Sequence, residues 1–165
     1  MKKYCFLLVC LTYTLVSFSQ TDSIQAAYKR FPTFPLVNLL LKDSTTLFSK
    51  DDLPKNTSVL LMIFNPGCEH CQHETEELIK NMDSFKKIQI VMATMMPLEE
   101  MKAFIEKYKL SEYDNIIVGR DIHYVLPGFY SISNLPYLAM YDKQGKLLST
   151  FEGTMKMEDL IKVFK

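Results

Sequence analysis

The chain has no tryptophan and no surplus of either charge: Lys+Arg and Asp+Glu stand at 19 each over 165 residues. A nucleic-acid-binding surface concentrates positive charge against phosphates, so this balance removes the electrostatic case for nucleic acid. Glycine is scarce, at 5 residues, and there is no phosphate-cradling glycine loop and no G-x-S-x-G. P-loop and serine-hydrolase chemistry therefore have no sequence support. Internal repeats and low-complexity tracts are absent too. What remains is 48% hydrophobic and 23% charged, a globular composition of a size for one domain rather than two. Methionine is frequent, at 10, which suits an adaptable core or contact surface.

The first residues form a segment of their own. Lys2 and Lys3 precede an apolar run over residues 5–16 that only Thr12 and Thr14 interrupt, and Ser17 and Ser19 follow. A basic start, a short apolar run and a small-x-small site form the pattern of a secretory signal peptide, assigned to residues 1–19. The run is shorter than the roughly 20 residues of a spanning helix, so an uncleaved anchor is the weaker reading. A lipoprotein reading is weaker still, because bulky Val9 precedes Cys10 where a small residue is needed. Export to the periplasm or cell envelope of a bacterium is the expectation. Any membrane contact would run through an uncleaved signal. Loss of Lys2 and Lys3 from a balanced total leaves a mature charge of about −2.

Cleavage also removes Cys5 and Cys10 and leaves only Cys68 and Cys71. An oxidising compartment preserves disulfides. A structural disulfide, however, stabilises by closing a long loop, and a bridge across two intervening residues closes almost none. The value of this pair is therefore expected to be chemical.

Residues 20–30 read as a lead-in, with the domain over 31–165. The apolar run 36–41, the Asp43-Ser44 turn and the β-prone run 45–48 suggest a hairpin. Residues 59–64 (VLLMIF) and 88–92 (IQIVM) are apolar without alternation, as in central strands covered on both faces. A helix is expected from Cys68 through Leu78, Ile79 and Met82. A second is expected over 97–110, with Leu98, Met101, Phe104, Ile105 and Tyr108 on one side. Residues 116–118 fit a short strand, and 119–134 fit a short helix or loop. Residues 137–141 and 146–151 flank the turn Asp142-Lys143-Gln144-Gly145. A last helix carries Met157, Leu160, Ile161 and Phe164. This is an α/β order: a mixed central sheet, helices on both faces and an N-terminal β-hairpin extension.

The chemistry concentrates in Phe64-Asn-Pro-Gly-Cys68-Glu-His-Cys71-Gln-His-Glu74. At a strand-to-helix junction Cys68 meets the unpaired N–H groups and positive dipole end of a helix, which favour a thiolate. The thiolate is the attacking species. Cys71 lies one turn on, able to resolve the mixed disulfide that Cys68 would form. His70 sits between them and is a candidate for tuning the Cys68 thiolate towards a more oxidising pair. Glu74 shares a helix face with Cys71 and is a candidate proton acceptor. His73 reads as a surface residue, and His123 has no constellation around it.

This segment resembles the thioredoxin superfamily and, within it, the exported TlpA/ResA-like thiol–disulfide oxidoreductases. Their Cys-x-x-Cys with a downstream glutamate is matched by Cys68, Cys71 and Glu74. Asn134-Leu135-Pro136-Tyr137, followed by a strand and Asp142-x-x-Gly145, is similar to their cis-proline loop and strand–turn–strand. The resemblance spans residues 31–165 and implies a thioredoxin-like fold and a redox-active Cys68–Cys71 disulfide. It also implies a cis Pro136 facing the cysteines and Leu135 offering backbone hydrogen bonds to client peptides. The implied partners are client proteins with thiols or disulfides and a membrane-borne electron donor, with no organic cofactor and no resident metal. Two positions depart from the family: Gly67 stands where Trp usually precedes the first cysteine, and Met62 where many thioredoxins bury an aspartate.

Other readings compete. A peroxiredoxin-like antioxidant shares the fold, but Asn65 stands where it needs a Thr. Copper or zinc could bind Cys68, Cys71 and His70 or His73, although no second ligand cluster exists. Haem attachment needs His where Gln72 stands. A redox-dead binding module would normally lack one cysteine. Glu69 resembles the reducing dipeptides of the family and His70 the oxidising ones, so the direction of electron flow stays open.

Overall fold

The computed structural model describes residues 25–165. The expected signal peptide, Cys5, Cys10 and the start of the lead-in lie outside the described residues. In chain order the elements are α1 (Ala27–Arg30), β1 (Leu39–Leu40), β2 (Leu47–Phe48) and a 3-10 turn (Lys50–Asp52), then β3 (Ser58–Ile63), α2 (Glu69–Lys80) and α3 (Met82–Phe85). β4 (Ile88–Thr94), α4 (Leu98–Lys107), a 3-10 turn (Leu110–Glu112), β5 (Ile116–Asp121) and α5 (Val125–Tyr130) follow. The chain ends with β6 (Tyr137–Tyr141), β7 (Leu147–Glu152) and α6 (Met157–Val163).

The strands form one mixed sheet in the order β2-β1-β5-β4-β3-β6-β7. β3, β4 and β5 run parallel, whereas β6 and β7 pair antiparallel beside β3. Every residue of β3 and β4 is buried, so both sheet faces are covered, as the unbroken apolar runs require. Alternation along β3 and β4 sorts two cores. Leu60, Met62, Phe64, Ile90 and Met92 face one way, against Cys71, Leu78, Phe104, Ile105 and Leu160 of α2, α4 and α6. Val59, Leu61, Ile63, Val91 and Ala93 face the other, against Phe34, Leu126, Tyr130, Tyr137 and Tyr141.

Differences from the expected elements have local causes. The run 36–41 yields only two strand residues, and Leu36 is 86% exposed, because the segment meets β5 only at Leu39 and Leu40. Gly119 makes that approach possible: a Cβ there would lie 2.6 Å from the Leu39 Cβ. The hairpin itself is closed by Asp43, whose Oδ1 accepts the Thr45 and Thr46 N–H groups at 3.1 and 2.9 Å. Met82, expected on the helix that starts at Cys68, belongs to α3. Asn81 leaves helical geometry, and its Nδ2 donates to the Glu77 carbonyl at 2.8 Å, ending α2 one residue earlier. β5 extends to Asp121, beyond the expected 116–118. Asp121 Oδ2 then accepts the Leu126 N–H at 2.8 Å and anchors the short helix α5.

Candidate active site

The dithiol site sits at the C-terminal end of β3, where the chain turns into α2. Asn65 builds that turn. Its side-chain Oδ1 accepts the Gly67 N–H at 2.8 Å, and its carbonyl accepts the Cys68 N–H at 3.0 Å. Cys68 then caps α2 in an extended conformation, φ −85° and ψ 120°, and its own carbonyl accepts the Gln72 N–H at 3.0 Å. The first cysteine is thus placed at the helix N-terminus, half-buried. Gln72 fixes the loop from below: its Nε2 donates to the Pro66 carbonyl at 2.8 Å, while Lys107 of α4 donates to its Oε1 at 3.2 Å.

One turn on, Cys71 points into the core and is fully buried. Both cysteines are free thiols. Burial pushes the Cys71 thiol up to about 12, a hydrogen bond with the Asn65 backbone opposes this, and the neighbouring Cys68 and Glu74 add to the rise. A buried thiol of this kind is inert until something takes its proton.

Glu74 is the next titratable side chain buried in α2. It is 1% exposed and lies one further turn along the same face of α2. Its Oε2 accepts the Met155 N–H at 3.1 Å, whereas its Oε1 has no hydrogen-bond partner. Desolvation pushes the carboxyl up to about 7, against the opposing pull of the Met155 bond. A buried carboxyl with one free oxygen is costly for stability and useful for proton transfer.

Across the site lies the loop before β6. The Leu135–Pro136 peptide bond is cis, Pro136 is buried, and the Cys68 Sγ stands 4.0 Å from the Leu135 carbonyl oxygen. The loop and the dithiol therefore face each other. His70 is exposed in the first turn of α2, and among the described residues it makes no hydrogen bond to either thiol. His73 is exposed, as expected, and so is His123. Met62 is fully buried in the core beneath the site. At Gly67 a Cβ would meet only Asn65 Oδ1, at 3.4 Å, so the position has room for a side chain. Among the described residues no cluster of three or more His, Cys, Asp or Glu is arranged to hold a metal ion.

The sequence reading missed Asn65 as the builder of the turn, Gln72 and Lys107 as its brace, and Met155 as the partner of Glu74. The Asn65-Pro66-Gly67 order marks the break after the run 59–64, but not which atom builds the turn. The other three connect distant segments and leave no local pattern.

A cysteine at the head of α2, a second in the core and a cis-proline loop opposite make up the arrangement that the resemblance implies. The family pattern described as AhpC/TSA matches residues 27–159. The chain belongs to the AhpC/TSA family. Solved structures agree on the fold. A secreted Mycobacterium tuberculosis disulfide oxidoreductase, described as homologous to E. coli DsbE, is similar at 17% identity with a TM-score of 0.64, over 78% of this chain and 93% of that one. StoA from Bacillus subtilis is similar at 19% identity and a TM-score of 0.57, over 80% and 98%. A thiol-disulfide oxidoreductase from Bacteroides fragilis is similar at 18% identity and a TM-score of 0.65, over 80% and 99%. These likenesses identify this AhpC/TSA member's fold as thioredoxin-like. No curated protein matches the chain.

Proposed function

We propose that this AhpC/TSA member is a protein thiol–disulfide oxidoreductase of the bacterial cell envelope, working through a reversible Cys68–Cys71 pair. The observation that carries the reading is the division of labour along one helix face: an accessible Cys68 at the cap, a buried Cys71, and a buried Glu74 with a free oxygen and a carboxyl pushed up to about 7. Names of the similar structures support it, as those proteins are described as disulfide oxidoreductases.

In the reducing direction the Cys68 thiolate attacks one sulfur of a client disulfide. That S–S bond breaks, one client sulfur leaves as thiolate, and a mixed disulfide forms. Glu74 takes the Cys71 proton, and the Cys71 sulfur attacks Cys68. The second client thiolate leaves and the Cys68–Cys71 disulfide remains. The client has gained two electrons, which a membrane-borne donor restores to the pair. In the oxidising direction the same steps run backwards. His70, beside the dithiol in the first turn, tunes the balance, and Leu135 and Pro136 receive the client peptide.

The test is the equilibrium reduction potential of the purified protein. A value near roughly −270 mV makes it a reductant, and one near roughly −120 to −180 mV an oxidant or isomerase. Absence of a reversible two-electron couple would sink the reading. Membership of the AhpC/TSA family favours one second reading, peroxide reduction at Cys68. Hydrogen peroxide consumption faster than exchange with a protein disulfide would decide for it. Asn65 argues against it, since its side chain is engaged with the Gly67 N–H.

A further inference from the structure

We propose that Glu152 is a positioning residue that holds the loop before Pro136 in the arrangement a client must meet. The inference rests on the thiol–disulfide reading of the site. Glu152 is the last residue of β7 and pairs in register with Tyr137, the first residue of β6. Its carboxylate reaches back over that register to the loop. Oε1 accepts the Ser133 N–H at 3.3 Å, and Oε2 accepts the Asn134 N–H at 3.0 Å and the Asn134 Nδ2 at 3.2 Å. The residue after it adds a further tie, the Gly153 N–H donating to the Pro136 carbonyl at 2.8 Å.

Ser133 and Asn134 are exposed, so water would satisfy these N–H groups if the carboxylate were absent. The hydrogen bonds are therefore not forced by burial. Their effect is geometric: two successive N–H groups are fixed to one rigid acceptor on the sheet edge. Among the described residues Glu152 takes part in no ion pair, so its charge is spent on this loop. The next N–H in the chain, that of Leu135, has no backbone acceptor among the described residues, and the Leu135 carbonyl is the atom 4.0 Å from Cys68 Sγ. The clamp thus takes the two preceding donors out of competition. Leu135 is left to present its N–H and C=O to an extended client backbone beside the nucleophile. Holding that segment in one conformation before the client arrives lowers the ordering cost of binding.

The test compares the full chain with Glu152→Ala and Glu152→Gln by three measurements. These are amide hydrogen exchange at Ser133 and Asn134, kcat and KM with a disulfide-bonded protein, and the same constants with a small-molecule disulfide. In Glu152→Ala both amides should exchange faster. KM for the protein should rise about tenfold, the scale of one lost hydrogen bond, while kcat moves little. The small disulfide does not need the loop, so its KM should stay. Glu152→Gln keeps one acceptor oxygen and should recover part of the protein KM. Unchanged exchange at Ser133 and Asn134, an unchanged protein KM, or an equal loss for both substrates would each overturn the proposal. No turnover of either substrate by the unmutated chain would instead bring down the thiol–disulfide reading, and this inference with it.

Discussion

The two faces of the sheet bury different kinds of polar group. Beneath α2 lie a thiol, Cys71, and a carboxyl, Glu74, whose Oε1 has no partner. On the far face lie phenols. The hydroxyls of Tyr130 and Tyr141 bond to each other, and the Tyr130 ring packs against those of Tyr28, Phe129 and Tyr137, with centroids 4.9–5.7 Å apart. Burial pushes all three sheet-facing phenols up, Tyr137 to about 12, so they stay neutral at any physiological pH. The two paired phenols satisfy each other and serve as packing, and among the described residues the one far-face oxygen without a partner is Oδ1 of Asp121, whose Oδ2 holds the Leu126 N–H. The near face leaves Glu74 Oε1 and the Tyr108 hydroxyl without partners, and of these the Glu74 carboxyl is the one pushed up to about 7. A buried group that is left incomplete, at a cost, is where chemistry is to be sought.

The largest expected effect breaks the near face. Cys68→Ser should abolish turnover, and Cys71→Ser should trap mixed disulfides with clients, visible on non-reducing gels. Equal residual activity in both variants would contradict their separate roles.

Glu74→Gln comes next and acts twice. It should slow resolution by about 10² or more, the scale of a lost proton acceptor. It should also stabilise the fold at pH 8. The Glu74 carboxyl holds its proton up to about pH 7 when folded and up to 4.5 when unfolded. Its contribution is therefore full below pH 4.5 and is lost as pH rises through 7. That shift corresponds to about 3 kcal/mol, which the glutamine should recover above pH 7 and not below 4.5. Denaturant melts at pH 4 and pH 8 would check this, and an equal difference at both would remove the charge argument.

The far face should answer otherwise. Tyr130→Phe leaves the Tyr141 hydroxyl buried without its partner and should cost about 1–3 kcal/mol, equally at pH 5 and pH 8. The double change of Tyr130 and Tyr141 to Phe should cost less than the single one, and a larger loss would show that the pair is not self-contained. The smallest effect is expected at His70, which is exposed. His70→Pro, tolerated in a first helical turn, should lower the reduction potential by about 30 mV or somewhat more. An unchanged potential would take His70 out of the mechanism.

Much of this was legible in one dimension. The unbroken apolar runs 59–64 and 88–92 signalled two-sided burial, because alternation is lost when both faces are covered. The Asn-Pro-Gly break put Cys68 at a helix start, and spacing put Cys71 and Glu74 on one face of that helix. The expected Met82 placement failed because Asn81 can bond the Glu77 carbonyl and stop the helix, an option that apolar spacing does not register. The expected six-residue run at 36–41 failed because strand length is set by the partner, and β5 offers only Asp121 and Arg120.

By itself, the sequence determined which residues are candidates to react, since residue type and spacing along one helix are local properties. The tertiary structure alone decided the environment of each. Burial of Cys71 and Glu74, the Met155 N–H on the glutamate, the Leu135 carbonyl beside Cys68 and the Glu152 hold on its loop all join segments far apart in the chain. Desolvation and hydrogen bonding depend on what packs nearby, and that is fixed only when the sheet has brought those segments together.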